Sequence, residues 1–163
     1  MKKIFLFALV ACLCSCGLKR NEGNISSIST LPSFEMLLMD RSTIVHSKEI
    51  PMGKPIVVMY FRPDCPHCNE ETKRVIENMQ TLKGVLFYYL TSASFEDIKA
   101  FYQQYSLEQY QNITIGKDYE HTFFEAFKPH SIPYMAIYDG KKNLVKVYHG
   151  EVGINSLLAA VRS

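Results

Sequence analysis

Residues 56–68 read Ile56-Val57-Val58-Met59-Tyr60-Phe61-Arg62-Pro63-Asp64-Cys65-Pro66-His67-Cys68. The first six are an unbroken apolar run rich in β-branched side chains. Such a run is the pattern of a strand buried on both faces, as in a parallel sheet covered by helices. Pro66 suits the first position of a helix, where no backbone donor is needed. From there the spacing predicts a helix to about Leu82, because Cys68, Thr72, Val75, Met79 and Leu82 recur at intervals of four and three and form one inward stripe. Cys65 therefore falls near the N-cap, where unpaired N–H groups and the helix dipole favour negative charge. A thiolate is the nucleophile of disulfide exchange, and sites of this kind lower a cysteine pKa from about 8.5 into a range of roughly 3.5–7.5. His67, when protonated, adds a cation that favours the same thiolate. Cys68 lies one step inward, placed to resolve a mixed disulfide by attacking Cys65.

On the N-terminal side, Phe34–Leu38 and Ser42–Val45 read as two short strands joined by a turn at Asp40-Arg41. On the C-terminal side, Gly84 ends the helix and Val85–Leu90 is a second buried-type strand. A helix follows from about Phe95 to Tyr105, and a shorter helical piece runs near Tyr119 to Phe127. Tyr134–Tyr138 and Leu144–Tyr148 predict a hairpin turning at Asp139-Gly140. The amphipathic stretch Asn155–Val161 closes the chain as a helix. Strand, helix, strand, helix, hairpin, helix argues an α/β domain with a central mixed sheet flanked by helices.

The 163 residues fit one domain with a short appendage. A formal net charge of +2 is too small to make nucleic acid a partner. The first residues stand apart. Met1-Lys2-Lys3 is basic, and Ile4 to Leu13 is apolar but far short of the roughly 20 residues that span a bilayer. The run meets Ala11-Cys12-Leu13-Cys14-Ser15-Cys16-Gly17, which resembles a bacterial lipobox. Residues 1–15 are thus expected to be a lipoprotein signal peptide, with Cys16 lipidated. Cys12 is the alternative lipidation site, and an ordinary cleaved secretory signal is the blander reading. Residues 16–30 read as the lipidated cysteine and a polar tether, and 31–163 as the domain. Cleavage before Cys16 removes Cys12 and Cys14. Cys65 and Cys68 are then the only free thiols, able to form one disulfide in a compartment where disulfides persist. A loop this small constrains the unfolded chain little, so chemistry explains the pair better than stapling does.

With these residues the chain resembles the thioredoxin-like superfamily over roughly Leu31 to Ser163. The Pro66-His67 dipeptide is the one familiar from periplasmic disulfide oxidases. The surrounding layout, with an N-terminal β-hairpin extension, is similar to the membrane-tethered thiol-disulfide proteins of the TlpA type. Ser131-Ile132-Pro133-Tyr134 matches the superfamily's second signature, a proline, typically cis, packed facing the cysteine pair. From sequence alone an Ile-Pro bond is trans by default. The resemblance implies that Ile132 offers backbone hydrogen bonds to a substrate segment presented by Pro133. It implies a redox-active Cys65–Cys68 disulfide acting on protein or small-thiol substrates, and a membrane or periplasmic redox partner. The protein would be a lipid-anchored oxidoreductase of the cell envelope, facing the periplasm. Two positions depart from the pattern: Asp64 stands where thioredoxins commonly have Trp, and Met59 stands where they carry a buried acid. The proton acceptor for Cys68 and the direction of electron flow are left open.

No nucleotide, flavin or metal motif is present, so no cofactor is expected. Zinc needs two more ligands than the pair supplies. His46, His121, His130 and His149 lie in separate segments, His130 being the one near Pro133. Two thiolates with one histidine would suit copper(I), which makes a copper-delivery lipoprotein the main alternative. A thiol peroxidase is the other, although Thr72 lies beyond the cysteines instead of before them.

Overall fold

The computed structural model describes residues 29–163. The expected signal segment, Cys12, Cys16 and nearly all of the tether lie outside the described residues. Among those described, no helix is long and apolar enough to cross a membrane.

The strand predicted at the decisive run is β3 (Ile56–Tyr60), and every residue in it is buried. Alternation divides the strand between two cores. Val57, Met59 and the following Phe61 join one cluster with Cys68, Val75, Phe87, Phe101 and Leu157. Ile56, Val58 and Tyr60 join the other, with Phe34, Met36, Phe123 and Tyr134. Burial on both faces explains why the run is apolar without period.

Around it the chain forms β1 (Glu35–Leu37), β2 (Ile44–His46), α1 (Pro66–Glu77), α2 (Met79–Leu82), β4 (Leu86–Thr91), α3 (Phe95–Gln104), β5 (Ile113–Lys117), α4 (Thr122–Phe127), β6 (Tyr134–Tyr138), β7 (Leu144–His149) and α5 (Ile154–Val161). The seven strands lie in the order β2-β1-β5-β4-β3-β6-β7. β3, β4 and β5 are parallel, whereas β6 runs antiparallel to β3, β7 to β6 and β1 to β5. This is a thioredoxin-like α/β fold, a mixed sheet with helices on its faces and a β1–β2 hairpin at the N-terminal edge.

Three expectations change. The single helix to Leu82 breaks at Asn78, whose Nδ2 donates to the Arg74 carbonyl and whose backbone leaves the helical region. Residues 113–117, not assigned from sequence, form β5 between β4 and the hairpin. The Asp139-Gly140 turn is a longer loop, in which the Asp139 carboxylate accepts from the N–H groups of Lys141 and Asn143.

Ser29 and Leu31 are tied to this loop region, the Ser29 carbonyl accepting from the Leu144 N–H and the Leu31 N–H donating to Lys142. Ile56 pairs with Tyr138, so this is the end of the sheet where β3 begins. The cysteines lie past the other end.

β5 fits beside β1 because residue 116 has no side chain. A Cβ there would lie 2.5 Å from Met36 Cγ and 2.7 Å from the Leu37 carbonyl oxygen. The backbone oxygen belongs to a paired strand and has little room to retreat. Gly116→Ala is expected to lower stability by about 1–3 kcal/mol through overpacking, measured by urea unfolding. An unchanged midpoint would show that β1 moves aside freely.

Candidate active site

β3 delivers the chain to α1 through Arg62-Pro63-Asp64, and Cys65 is the N-cap of that helix with Pro66 at its first position. The Cys68 N–H donates to the Cys65 sulfur at 3.3 Å. This is an N-cap contact in which sulfur stands where serine or aspartate oxygen usually does. Asn69 braces the loop: its Nδ2 donates to the carbonyls of Pro63 (3.1 Å) and Cys65 (2.8 Å), and Tyr105 at the end of α3 donates to its Oδ1. Both cysteines are free thiols, Cys65 partly exposed and Cys68 buried. Burial, reinforced by the hydrogen bond and the charge of Cys65, pushes the Cys68 thiol well above the ordinary cysteine range.

The Ile132–Pro133 bond is cis, which replaces the trans default of the bare sequence. The Cys65 thiol lies 3.9 Å from the Ile132 carbonyl oxygen. Residues 67 positions apart in sequence thus meet at the Cys65 sulfur. An open cleft of about 450 Å³ runs alongside, lined by Arg62, Pro63, Asp64, Ala93 and Phe101 among others.

Asp64 neither caps the helix nor stands alone. Its carboxylate takes two bonds from the Arg62 guanidinium, Nε to Oδ1 at 3.0 Å and Nη2 to Oδ2 at 2.5 Å. The cation offsets the carboxylate that would otherwise oppose a thiolate. Met59 is fully buried in the core, so no acid occupies that place.

A buried acid is present elsewhere. Glu71, one turn beyond Cys68 on α1, has no exposed surface. Its Oε2 accepts from the Val152 N–H at 2.8 Å and pairs with Arg74. Its Oε1 is buried with no hydrogen-bond partner among the described residues. Burial raises its pKa above the ordinary 4.5, outweighing Val152 and Arg74. Its charged neighbours mask it in the sequence, because Glu70-Glu71-Thr72-Lys73-Arg74 resembles a solvated helix face. The available signal was its spacing, three residues after Cys68 and four before Val75, inside the core stripe. His130 forms no hydrogen bond with either cysteine, and no group of three His, Cys, Asp or Glu side chains among the described residues is arranged to hold a metal.

The sequence pattern of the AhpC/TSA family matches residues 29–150. The chain belongs to the AhpC/TSA family. No curated protein matches it. Among solved structures, it is similar to MTB dsbF (22% identity, 79% of this chain and 92% of that one, TM-score 0.66). It is also similar to a secreted Mycobacterium tuberculosis disulfide oxidoreductase homologous to E. coli DsbE (18%, 79% and 94%, 0.66). A third similar structure is the exposed lipoprotein thioredoxin Etrx1 of Streptococcus pneumoniae (19%, 80% and 98%, 0.64). At these identities the likeness is one of fold.

Glu71 makes the site's pH response testable. The unfolded chain ionises this carboxyl near 4.5, while the folded one holds its proton to higher pH. The fold therefore carries no penalty from it in acid, and a growing one as pH rises above 4.5. Unfolding free energies of Glu71→Gln relative to wild type should shift in favour of the variant between pH 4.5 and 7.5. A difference that stays constant would mean the carboxyl is already ionised in the folded protein.

Proposed function

We propose that this protein is a thiol-disulfide oxidoreductase of the bacterial envelope, tethered in the manner of TlpA-type proteins and working through Cys65 and Cys68. The observation that carries the reading is the pair's asymmetry. One sulfur is accessible, receives a helix N–H and faces the Ile132 carbonyl, while the other is buried directly behind it.

Acting as a reductant, the Cys65 thiolate attacks one sulfur of a substrate disulfide. The substrate S–S bond breaks, one substrate sulfur leaves as thiolate, and a mixed disulfide forms. Cys68 then loses its proton and attacks the Cys65 sulfur, releasing the second substrate sulfur and closing the Cys65–Cys68 disulfide. Two electrons have passed to the substrate, whose sulfurs take up two protons. Acting as an oxidant, the same steps run in reverse. A protein partner resets the pair in either case. Glu71, three residues beyond Cys68 on α1 and fully buried, is the candidate we assign as base for the Cys68 proton. Ile132, behind Pro133, would pair through its backbone with an extended substrate segment, and His67 tunes Cys65. Two cysteines opening one helix suit exchange better than peroxide reduction, which needs one cysteine in a threonine-bearing loop. The envelope location draws on residues 1–16 and on the secreted and lipoprotein character of similar structures.

In Cys68→Ser, Cys65 is expected to hold substrates as mixed disulfides, identified by mass spectrometry after non-reducing electrophoresis. An empty trap under both oxidising and reducing conditions would overturn the exchange reading. Equilibration with glutathione then assigns direction: a potential near the thioredoxin value of about −270 mV marks a reductant, and one near about −120 mV an oxidant.

A further inference from the structure

Asn69 is out of place as a helix former. It stands in the first turns of α1, although asparagine is among the weaker helix residues because its amide competes for backbone partners. Here the amide does so. Its Nδ2 donates to the Pro63 carbonyl at 3.1 Å and to the Cys65 carbonyl at 2.8 Å. The Cys65 carbonyl also accepts the Asn69 N–H at 3.0 Å, the first regular bond of the helix. On the other side of the same loop, the Cys65 N–H donates to the Arg62 carbonyl at 3.2 Å. Both backbone groups of Cys65 are therefore tied, which fixes the direction in which its sulfur leaves the chain.

The orientation of the Asn69 amide is forced. Carbonyls only accept, so a reversed amide would set its oxygen against two others. Oδ1 instead accepts from the Tyr105 hydroxyl. Tyr105 is the C-cap of α3, and its ring lies 4.8 Å from that of Phe101, which lies 4.7 Å from that of Phe61, the residue following β3. The hydroxyl is thus held from the core, and Asn69 joins α3, α1 and the loop before Cys65 into one unit.

We propose that Asn69, held by Tyr105, is a positioning residue of the redox site: by pinning the Pro63 and Cys65 carbonyls it keeps the Cys65 sulfur aligned for attack by Cys68, and so sets how fast a mixed disulfide is resolved. The inference rests on the disulfide-exchange reading and deepens it. Attack by Cys65 on a substrate is bimolecular and depends on access to the sulfur and on its ionisation. Closure is intramolecular, and its rate depends on how often the two sulfurs hold the in-line geometry. In the mixed disulfide, Cys65 carries a neutral sulfur, a poorer acceptor for the Cys68 N–H than a thiolate. The brace on the backbone then carries more of the alignment.

The test separates the two steps in the full chain at neutral pH. Glutathione disulfide is the oxidant, and acid-quenched samples are resolved at Cys65 and Cys68 by peptide mass spectrometry. Attack is read as glutathione added to Cys65 in the Cys68→Ser background, and closure as the decay of that adduct with Cys68 present. In Asn69→Ala, closure is expected to slow by about threefold or more beyond any change in attack, the scale of one or two lost hydrogen bonds. Asn69→Asp keeps the side-chain shape and the bond from Tyr105 but cannot donate, and acids are tolerated near a helix N-terminus. It should slow closure at least as much as Asn69→Ala. Tyr105→Phe should slow closure in the same sense and add nothing in the Asn69→Ala background. A ratio of closure to attack equal to wild type in Asn69→Ala or Asn69→Asp, equal slowing of both steps, or a further loss from Tyr105→Phe in the Asn69→Ala background would each overturn the proposal. If Cys65 takes up no glutathione even in the Cys68→Ser chain, the exchange reading fails. If wild type closes and the Asn69 variants close as fast, only this inference falls.

Discussion

A single backbone N–H, that of Cys68, reaching the Cys65 sulfur is the contact on which the rest of the site depends. It exists because β3 ends at the one place where an α-helix has donors to spare. For β3 to end there, the strand must be immobile, and it is so because both of its faces are covered. Pro66 fixes the first helical residue, and Asn69, oriented by Tyr105, ties down the carbonyls of the preceding loop. The Cys65 sulfur is thus positioned by core packing, capping and side-chain hydrogen bonds acting together, so no one of them has to define it alone.

The two cysteines share a helix end but not an environment. Cys65 faces a cis-proline loop, while Cys68 sits in the core cluster with Val57, Met59 and Val75. The proposed exchange would use that contrast, one sulfur to attack and the other to resolve. It also explains why a buried carboxyl is tolerated on α1. Glu71 costs desolvation, partly offset by a backbone N–H and a guanidinium that are held in place by the segment following β7. Arg74 links the buried end of this arrangement to the exposed end.

Much of this was legible in the sequence where information is local. The run Ile56–Phe61 announced a strand covered on both sides, and Cys65-Pro66 announced a capped helix start. What escaped depends on residues far apart. β5 is faint in the sequence because Gly116 weakens its strand pattern, and the reason for that glycine lies in Met36 and Leu37 of another strand. The break at Asn78 turns on a side-chain bond to Arg74 that the hydrophobic stripe does not encode. The cis state of Pro133 runs against the local preference. Glu71 was hidden by charged neighbours, and Glu151 meets His67 across 84 positions of chain.

The chain enters the domain at Ser29, hydrogen-bonded to Leu144 beside the loop that joins the two C-terminal strands. That entry point and the sulfur pair occupy opposite poles of the sheet, separated by the length of β3. A pull on the N-terminal segment would be borne first by the β7 margin and its neighbouring loop. The junction between β3 and α1 would feel little of it. The alignment of the two sulfurs is in this way mechanically isolated from the end of the sheet at which the chain comes in.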